Sequence, residues 1–460
     1  MNRTPIGTIA EWCEGTLIKG VPADMVSSIT TDSRSAEKGD LFLALKGKRF
    51  DGHQYIDDVE SKGVECVIVE SLPESLESYS GAIIHVRDTL KALQNLAARY
   101  RRSMKEIFVI GVTGSNGKTT TKDFLHSVMS LLGGVNATKG NLNNHIGLPL
   151  TILNTDRGHA SGVWEMGMNH PGEIEILAEI SAPDCGVITN IGNAHIEHMK
   201  TTEAIAMEKC AMAEAIDPKG YCVMPRSDPY YTFVKDRILC RMISVGFLDG
   251  DIRAGNIGKG AHGEATFNLE FGERDSYPVS LPVRGRHMVM NALLAAAVGL
   301  ERGISGEDIA AVLSESKLTG GRLSEIEIKG VRFLDDTYNA NPDSMRAALD
   351  VLVESTVTGS RIAVFGFMGE LGDREKVEHE SLGREVAARG IDILVTVGDI
   401  ASAICESARQ AGKQDAYSFA DCEEASIFLN QNMKKGDLIL VKGSRAAKME
   451  EVFQNLETES

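Results

Sequence analysis

The sequence lacks an excess of positive charge: 48 lysines and arginines face 65 aspartates and glutamates, a net charge of −17. That balance argues against a general nucleic-acid or anionic-membrane binder, which would carry a basic face. It leaves room for a local basic pocket that holds phosphates. The sequence also lacks a long apolar run. The best, Ala292 to Leu300, is about half of the ~18 residues that a membrane span needs, so no membrane insertion is expected. The opening segment, MNRTPIGTIAEWCEG, has neither an apolar core nor a small-residue cleavage site, so no secretory signal is expected. There is no CxxC pair. The eight cysteines, at 13, 66, 185, 210, 222, 240, 405 and 422, are scattered and are expected as buried free thiols of a cytoplasmic protein. Internal repeats and low-complexity segments are missing as well.

What is present is 460 residues, 43% hydrophobic and 25% charged, an ordinary soluble composition. At a soft prior of about 150 residues per domain, the length suggests three domains. The pattern divides into blocks 1–104, 105–318 and 319–460. In the first, short strands are expected at Val26–Thr31, Leu41–Leu45 and Val64–Val69, with a helix from Thr89 to about Arg102 leading out. The second opens with an apolar strand, Ile107–Val112, then a glycine loop and a helix carrying Phe124, Leu125, Val128, Met129 and Leu132 at helical spacing. Further buried strands are expected at Gly162–Met166 and Gly186–Asn190, and an alanine-rich helix at Arg286–Gly299. In the third block, strands Arg361–Phe367, Ile391–Val397 and Asp437–Val441 alternate with helices His379–Arg389, Ile400–Gln410 and Cys422–Asn432. Strand then helix, repeated, predicts an α/β protein with mostly parallel sheets, the last of them Rossmann-like.

The strongest local signal is Gly111-Val-Thr-Gly114-Ser115-Asn116-Gly117-Lys118-Thr119-Thr120, between a strand and a helix. Glycines let successive backbone N–H groups converge on phosphate oxygens. The helix N-terminus adds its dipole, Lys118 a point charge, and Thr119 a hydroxyl for Mg²⁺. The strict GxxxxGK[ST] pattern would need glycine at 112, where valine stands, so the loop is a variant. Its context marks a P-loop-type mononucleotide site.

A phosphate-bound Mg²⁺ wants further ligands near strand ends. Glu165, in Glu-Met-Gly-Met-Asn-His170, and His195, in Asn190-Ile-Gly-Asn-Ala-His195, are the candidates. By spacing alone the better readings are a solvated strand-end carboxylate for Glu165 and a surface histidine satisfied by backbone for His195. His195-Ile-Glu197-His198 is not HExxH, and no cysteine–histidine set accompanies it, so zinc is disfavoured. Lys209 lies on a helix whose apolar side is Ile205, Met212 and Ile216; by itself it reads as an exposed helix lysine.

Together these motifs resemble the Mur ligases, which build the peptide stem of bacterial cell wall. The matching pieces are the glycine loop, Asn141-Leu-Asn143-Asn144-His-Ile-Gly-Leu-Pro149, Glu165–His170, Asn190–His195, Arg286-His287 with Asn291, and Gly321-Arg322. Asp335-Asp336-Thr-Tyr-Asn-Ala-Asn-Pro-Asp-Ser-Met345, Gly369-Glu370-Leu371-Gly372 with His379, and Val441-Lys442-Gly-Ser-Arg445 look like the member that adds D-alanyl-D-alanine. The diaminopimelate- or lysine-adding member typically carries Asp-Asn-Pro-Arg in its last domain, and this chain has no proline after Pro342.

The resemblance implies three domains: a small N-terminal UDP-sugar domain, a central ATPase domain and a C-terminal Rossmann-like domain. It implies ATP held by Gly114–Thr120, Asn291, Arg322 and Asp336, and two Mg²⁺ ions on Thr119, Glu165, His195 and Lys209, the lysine carbamylated by CO₂. Arg286-His287-Met288 departs from the family's His-Asn pair, so the adenine side rests on Asn291 and less on His287. His198 stands where many relatives have glycine, and no role is assigned to it. Ser33 and Arg34, otherwise turn residues, would contact the uridine diphosphate. Asn143 and Asn144 would line the cleft beside UDP-MurNAc-tripeptide. The implied reaction is ATP-driven amide formation with D-alanyl-D-alanine through an acyl phosphate, in a cytoplasmic monomer, with Lys118, Lys209, His195 and Glu165 as the catalytic group. Two other classes stay open: a P-loop NTPase used as a switch, and an inactive nucleotide-binding scaffold.

Overall fold

Three large sheets, each drawn from one contiguous stretch of chain, with a two-stranded ribbon of Thr4–Pro5 and Met25–Val26 beside the first, set the architecture of the computed structural model, which describes residues 1–47, 50–72, 75–261, 263–272 and 275–458. The protein is α/β throughout, with N-terminal, central and C-terminal domains.

The N-terminal sheet has five strands in the order Thr16–Lys19, Ala82–His85, Cys66–Val69, Leu41–Leu43, Ile29–Thr30, parallel except for the first pair. The helix Thr89–Ser103 leaves it, started by Asp88, whose carboxylate accepts the Lys91 N–H at 2.9 Å. Leu93, Leu96, Ala97 and Tyr100 on one face of this helix are buried against the central domain's helices Gly147–Leu153 and Glu173–Ser181. Each buried leucine contributes roughly 1.5–3 kcal/mol. The Tyr100 hydroxyl donates to Thr155 O at 2.6 Å, and Arg101 Nη2 pairs with Asp184 Oδ2 at 3.0 Å.

The central sheet has nine strands, with Phe108–Thr113 between Cys185–Ile188 and His159–Glu165. Buried on both faces, these strands are near-continuous apolar runs, as a parallel sheet covered by helices requires. Gly111 fits where a Cβ would come within 2.9 Å of Met166 Cε. The helix Lys118–Met129 packs against Arg286–Glu301, and Gly299 allows the approach: a Cβ there would lie 2.5 Å from Val128 Cγ1. The C-terminal sheet has six strands, ordered Ser324–Ile328, Val331–Asp336, Leu438–Lys442, Arg361–Phe365, Ile393–Val397, Ala416–Phe419, parallel apart from the first pair.

Most expected elements fall within a few residues of the observed ones, and Cys422–Asn432 coincides; the expected strand Val26–Thr31 is instead two short strands, Met25–Val26 pairing with Thr4–Pro5 and Ile29–Thr30 pairing with Leu41–Leu43. A further difference is an antiparallel arm, Ile252–Lys259, Ala265–Phe271 and Asp275–Ser280, which continues the central sheet beyond its parallel part. Its middle strand alternates buried Ala265, Phe267 and Leu269 with half-buried neighbours, the period-two pattern of a one-faced strand. All eight cysteines are buried free thiols. Among the described residues no helix is long and apolar enough to cross a membrane.

Candidate active site

A cavity of about 710 Å³ opens where the parallel strands of the central and C-terminal sheets end. One wall is the glycine loop, and the other is Arg322, Asp336, Asn341 and Lys442. Ligands in open α/β sheets sit at such carboxyl ends.

The loop is braced from behind. Gly114 has φ +151°, and a Cβ there would meet Thr189 Oγ1 at 1.8 Å, so only glycine fits. Asn190 accepts the Asn116 N–H through Oδ1 at 3.0 Å and donates from Nδ2 to Asn116 O at 2.9 Å. Ser115 Oγ donates to Gly192 O at 3.1 Å and accepts the Gly192 N–H at 2.8 Å. Gly117, at φ +80°, starts the helix, and a Cβ on it would lie 2.6 Å from Asn291 Oδ1. Asn291 is thus held against the loop itself. Lys118 Nζ donates to Gly114 O at 2.7 Å. Burial pulls the Lys118 ammonium below its usual range, with Glu165 opposing.

Thr119 and Glu165 meet: the hydroxyl donates to Glu165 Oε2 at 2.8 Å. Glu165 Oε1 accepts Asn143 Nδ2 at 2.8 Å, and Arg322 Nη2 donates to Thr119 Oγ1 at 2.8 Å while its guanidinium lies over Tyr338. Among the described residues no three His, Cys, Asp or Glu side chains converge as a metal cage. A hydroxyl and a carboxylate beside a phosphate loop do fit Mg²⁺, which completes its shell with phosphate oxygens and water.

His195 lines the same cavity with a left-handed backbone, φ +63°. Its Nδ1 lies 2.5 Å from Glu370 Oε2, a contact off the ring N–H axis. That contact comes first among the causes that hold the Glu370 carboxyl below its usual range. Asp336 pairs with the buried Lys442 at 2.6 Å, and Lys442 also donates to Asn339 O at 2.8 Å. Asn341 caps the helix Pro342–Glu354 through Oδ1 and reaches the loop with Nδ2, 2.7 Å from Asn116 Oδ1.

Lys209 is not an exposed helix lysine: it is 1% exposed. Burial first, and then the neighbouring Lys118, push its ammonium well below the usual lysine range. It is not among the residues that line the cavity.

Ser115 to Thr120, Asn143, Asn144, Glu165, His195, Asn291, Arg322 and Asp336 therefore come together, with Gly114 behind the loop. Asn144 spends its side chain on structure, accepting the Ile146 and Gly147 N–H groups at 3.1 and 2.9 Å. Ser33 and Arg34 are not brought here. Ser33 is buried in the N-terminal domain, and Arg34 is exposed and tied to Asp32, whose carboxyl it pulls down to about 2. Asn190, Asn341 and Lys442 were visible as parts of motifs, but nothing in their spacing announced these contacts. Asp228, which accepts the Ile191 N–H at 2.8 Å at the cavity edge, gave no sequence signal.

Comparison with known proteins bears directly on this site. Profiles for the Mur ligase family catalytic domain, the Mur ligase middle domain and the Mur ligase glutamate ligase domain match residues 25–101, 112–299 and 321–445. The chain is 36% identical over 461 residues to the UDP-N-acetylmuramoyl-tripeptide–D-alanyl-D-alanine ligase of Bacillus subtilis, covering 99% of both chains. This chain belongs to the Mur ligase family. The Escherichia coli ligase of the same name is 34% identical, with 94% of each chain covered. Among solved Mur ligases, MurF from Acinetobacter baumannii superposes with a TM-score of 0.91 at 35% identity, covering 100% of this chain and 99% of that one. MurF from Thermotoga maritima in complex with ADP gives 0.84 at 30%, with 94% and 98% covered.

Proposed function

We propose that this Mur ligase is the ATP-dependent enzyme that joins D-alanyl-D-alanine to UDP-MurNAc-tripeptide, giving UDP-MurNAc-pentapeptide for peptidoglycan synthesis. The observation that carries the reading is the two-sided cavity, with Lys118 and Thr119 on one wall and Arg322, Asp336 and Lys442 on the other. A switch NTPase has no need of the second wall.

A carboxylate does not acylate an amine at neutral pH, because hydroxide is a poor leaving group. ATP removes the obstacle by phosphorylating the terminal carboxylate of the tripeptide; the dipeptide amine then attacks the acyl phosphate and phosphate departs. Lys118 leaves Gly114 O for the transferring phosphoryl group, and the loop N–H groups hold the phosphates already bound. Arg322 adds charge from the facing wall. Thr119, Glu165 and His195 would hold Mg²⁺, two ions in all, which neutralises developing phosphate charge when bound. Closure of both walls keeps water from the acyl phosphate.

Lys209 suits carbamylation. The ammonium first gives up a proton to solvent; the neutral amine then attacks CO₂, a C–N bond forms as one C=O π bond opens to a carboxylate, and a second proton leaves the nitrogen, so a cation becomes an anion with two protons released. The neutral amine that this needs is the form favoured by burial beside Lys118. The carbamate would offset the charge of Lys118 and help orient a metal. Ser33 and Arg34 are assigned to the uridine diphosphate end of the substrate, with Asn143 beside the peptide. Block limits near 104 and 318 divide the three roles. We assign the enzyme to the cytoplasm as a monomer, where ATP and UDP-sugars are available.

Phosphate release from ATP with each substrate alone and with both tests the reading. Release that requires both, with the pentapeptide product seen by mass, is expected. Release without the pair, or none, overturns the assignment.

A further inference from the structure

The run Gly369-Glu370-Leu371-Gly372 has no role in the reading above. It follows the strand Arg361–Phe365 of the C-terminal sheet, yet it rests on the short helix Ile196–Met199 of the central domain. Three contacts make that seat. Glu370 Oε2 lies 2.5 Å from His195 Nδ1. The Glu197 N–H donates to Glu370 O at 3.2 Å. A Cβ on Gly372, whose φ is +53°, would stand 3.1 Å from Glu197 Cγ, so the two segments meet closely.

Both members of the carboxylate–imidazole pair keep left-handed backbones, His195 at φ +63° and Glu370 at +60°. Residues other than glycine hold that conformation only where their surroundings over-determine it, most often at functional sites. The run is also braced from its own side. His379 Nε2 accepts the Met368 N–H at 2.9 Å, and its Nδ1 donates to Glu375 O at 2.7 Å.

A carboxylate this close to one imidazole nitrogen favours the proton there and leaves the lone pair on the other; the Glu370 carboxylate lies off the ring N–H axis, so it biases His195 through charge rather than through a closed hydrogen bond. With Nδ1 facing Glu370, Nε2 is the nitrogen left to ligate. The carboxylate belongs to the C-terminal domain and the imidazole to the central one, so the orientation exists only while the two are docked. We infer that Glu370 is a positioning residue through which docking of the C-terminal domain completes the metal-binding geometry of His195. The inference rests on the reading of His195 as a metal ligand and adds the residue that governs it.

Mn²⁺ is the probe, titrated into the protein–ADP complex and read by electron paramagnetic resonance, which needs no turnover. Glu370→Gln should weaken Mn²⁺ binding about tenfold, with metal-free ADP affinity and melting temperature unchanged. Glu370→Asp should keep part of the affinity. In a His195→Ala background, Glu370→Gln should add no further loss. Unchanged Mn²⁺ affinity in Glu370→Gln, or an undiminished further loss in the double variant, overturns the inference. Failure of the ligase reading would appear instead in the two-substrate assay of the unaltered protein, which this titration does not use.

Discussion

The central domain meets its two neighbours in opposite ways. Towards the N-terminal domain it offers apolar helix faces: Leu93, Leu96 and Tyr100 are buried there, and Arg101 threads between Ser181 O, Met104 O and Asp184. Towards the C-terminal domain the contacts around the cavity are polar and reach directly into chemistry: Arg322 to Thr119, Asn341 to Asn116, Glu370 to His195, and Asp123 to the Thr319 N–H. The first junction is a weld of buried apolar faces and a buried guanidinium. The second is a joint whose closing contacts are the same groups that a nucleotide and its metal would address.

The contrast is sharpest at the loop. Lys118→Ala should lower turnover by about 10³-fold, and Arg322→Ala by about 10²-fold, with little change in melting temperature; steady-state phosphate release checks both. Next comes the weld. Arg101→Ala leaves two carbonyls of the segment Ser181–Ala182 and the Asp184 carboxylate without their partner, and should cost about 2–3 kcal/mol of stability. Chemical denaturation measures that loss, while turnover per folded molecule stays at its normal value. If Arg101→Ala instead slowed turnover of a fully stable protein, the two junctions would not differ as described.

Smaller effects refine the joint. Asn341→Ala removes a helix cap and the contact to Asn116 together, and should cost about 1 kcal/mol, seen both as a lower melting temperature and as a raised KM for ATP. The smallest expected effect belongs to His379. Burial holds its pKa below the model-peptide value of 6.5. The unfolded chain therefore binds the extra proton first as pH falls. The stabilising contribution is complete above about 6.5 and is lost as pH drops from there towards the lowered folded value. Melting temperature followed from pH 7.5 downwards should fall less steeply in His379→Gln than in the unaltered protein.

Much of this was legible in residue order. Apolar runs marked the parallel strands, because strands buried on both faces have no polar side to hide. The glycine loop was legible because its backbone demands glycine at 114 and 117. The antiparallel arm was missed although Ala265, Phe267 and Leu269 alternate clearly. Burial of Lys209 was not legible, since an amphipathic helix shows which face is apolar and not whether its other face is covered. Nor was the meeting of Glu370 with His195, because sequence gives each loop's own turn chemistry but not which loops of two domains face one another.

The burial of all eight cysteines has a practical side. A surface without thiols is blank to maleimide dyes. One cysteine introduced on the arm and another on the C-terminal sheet would then be the sole labelled sites, and the distance between the two dyes would report the angle of the joint, molecule by molecule, while substrates come and go.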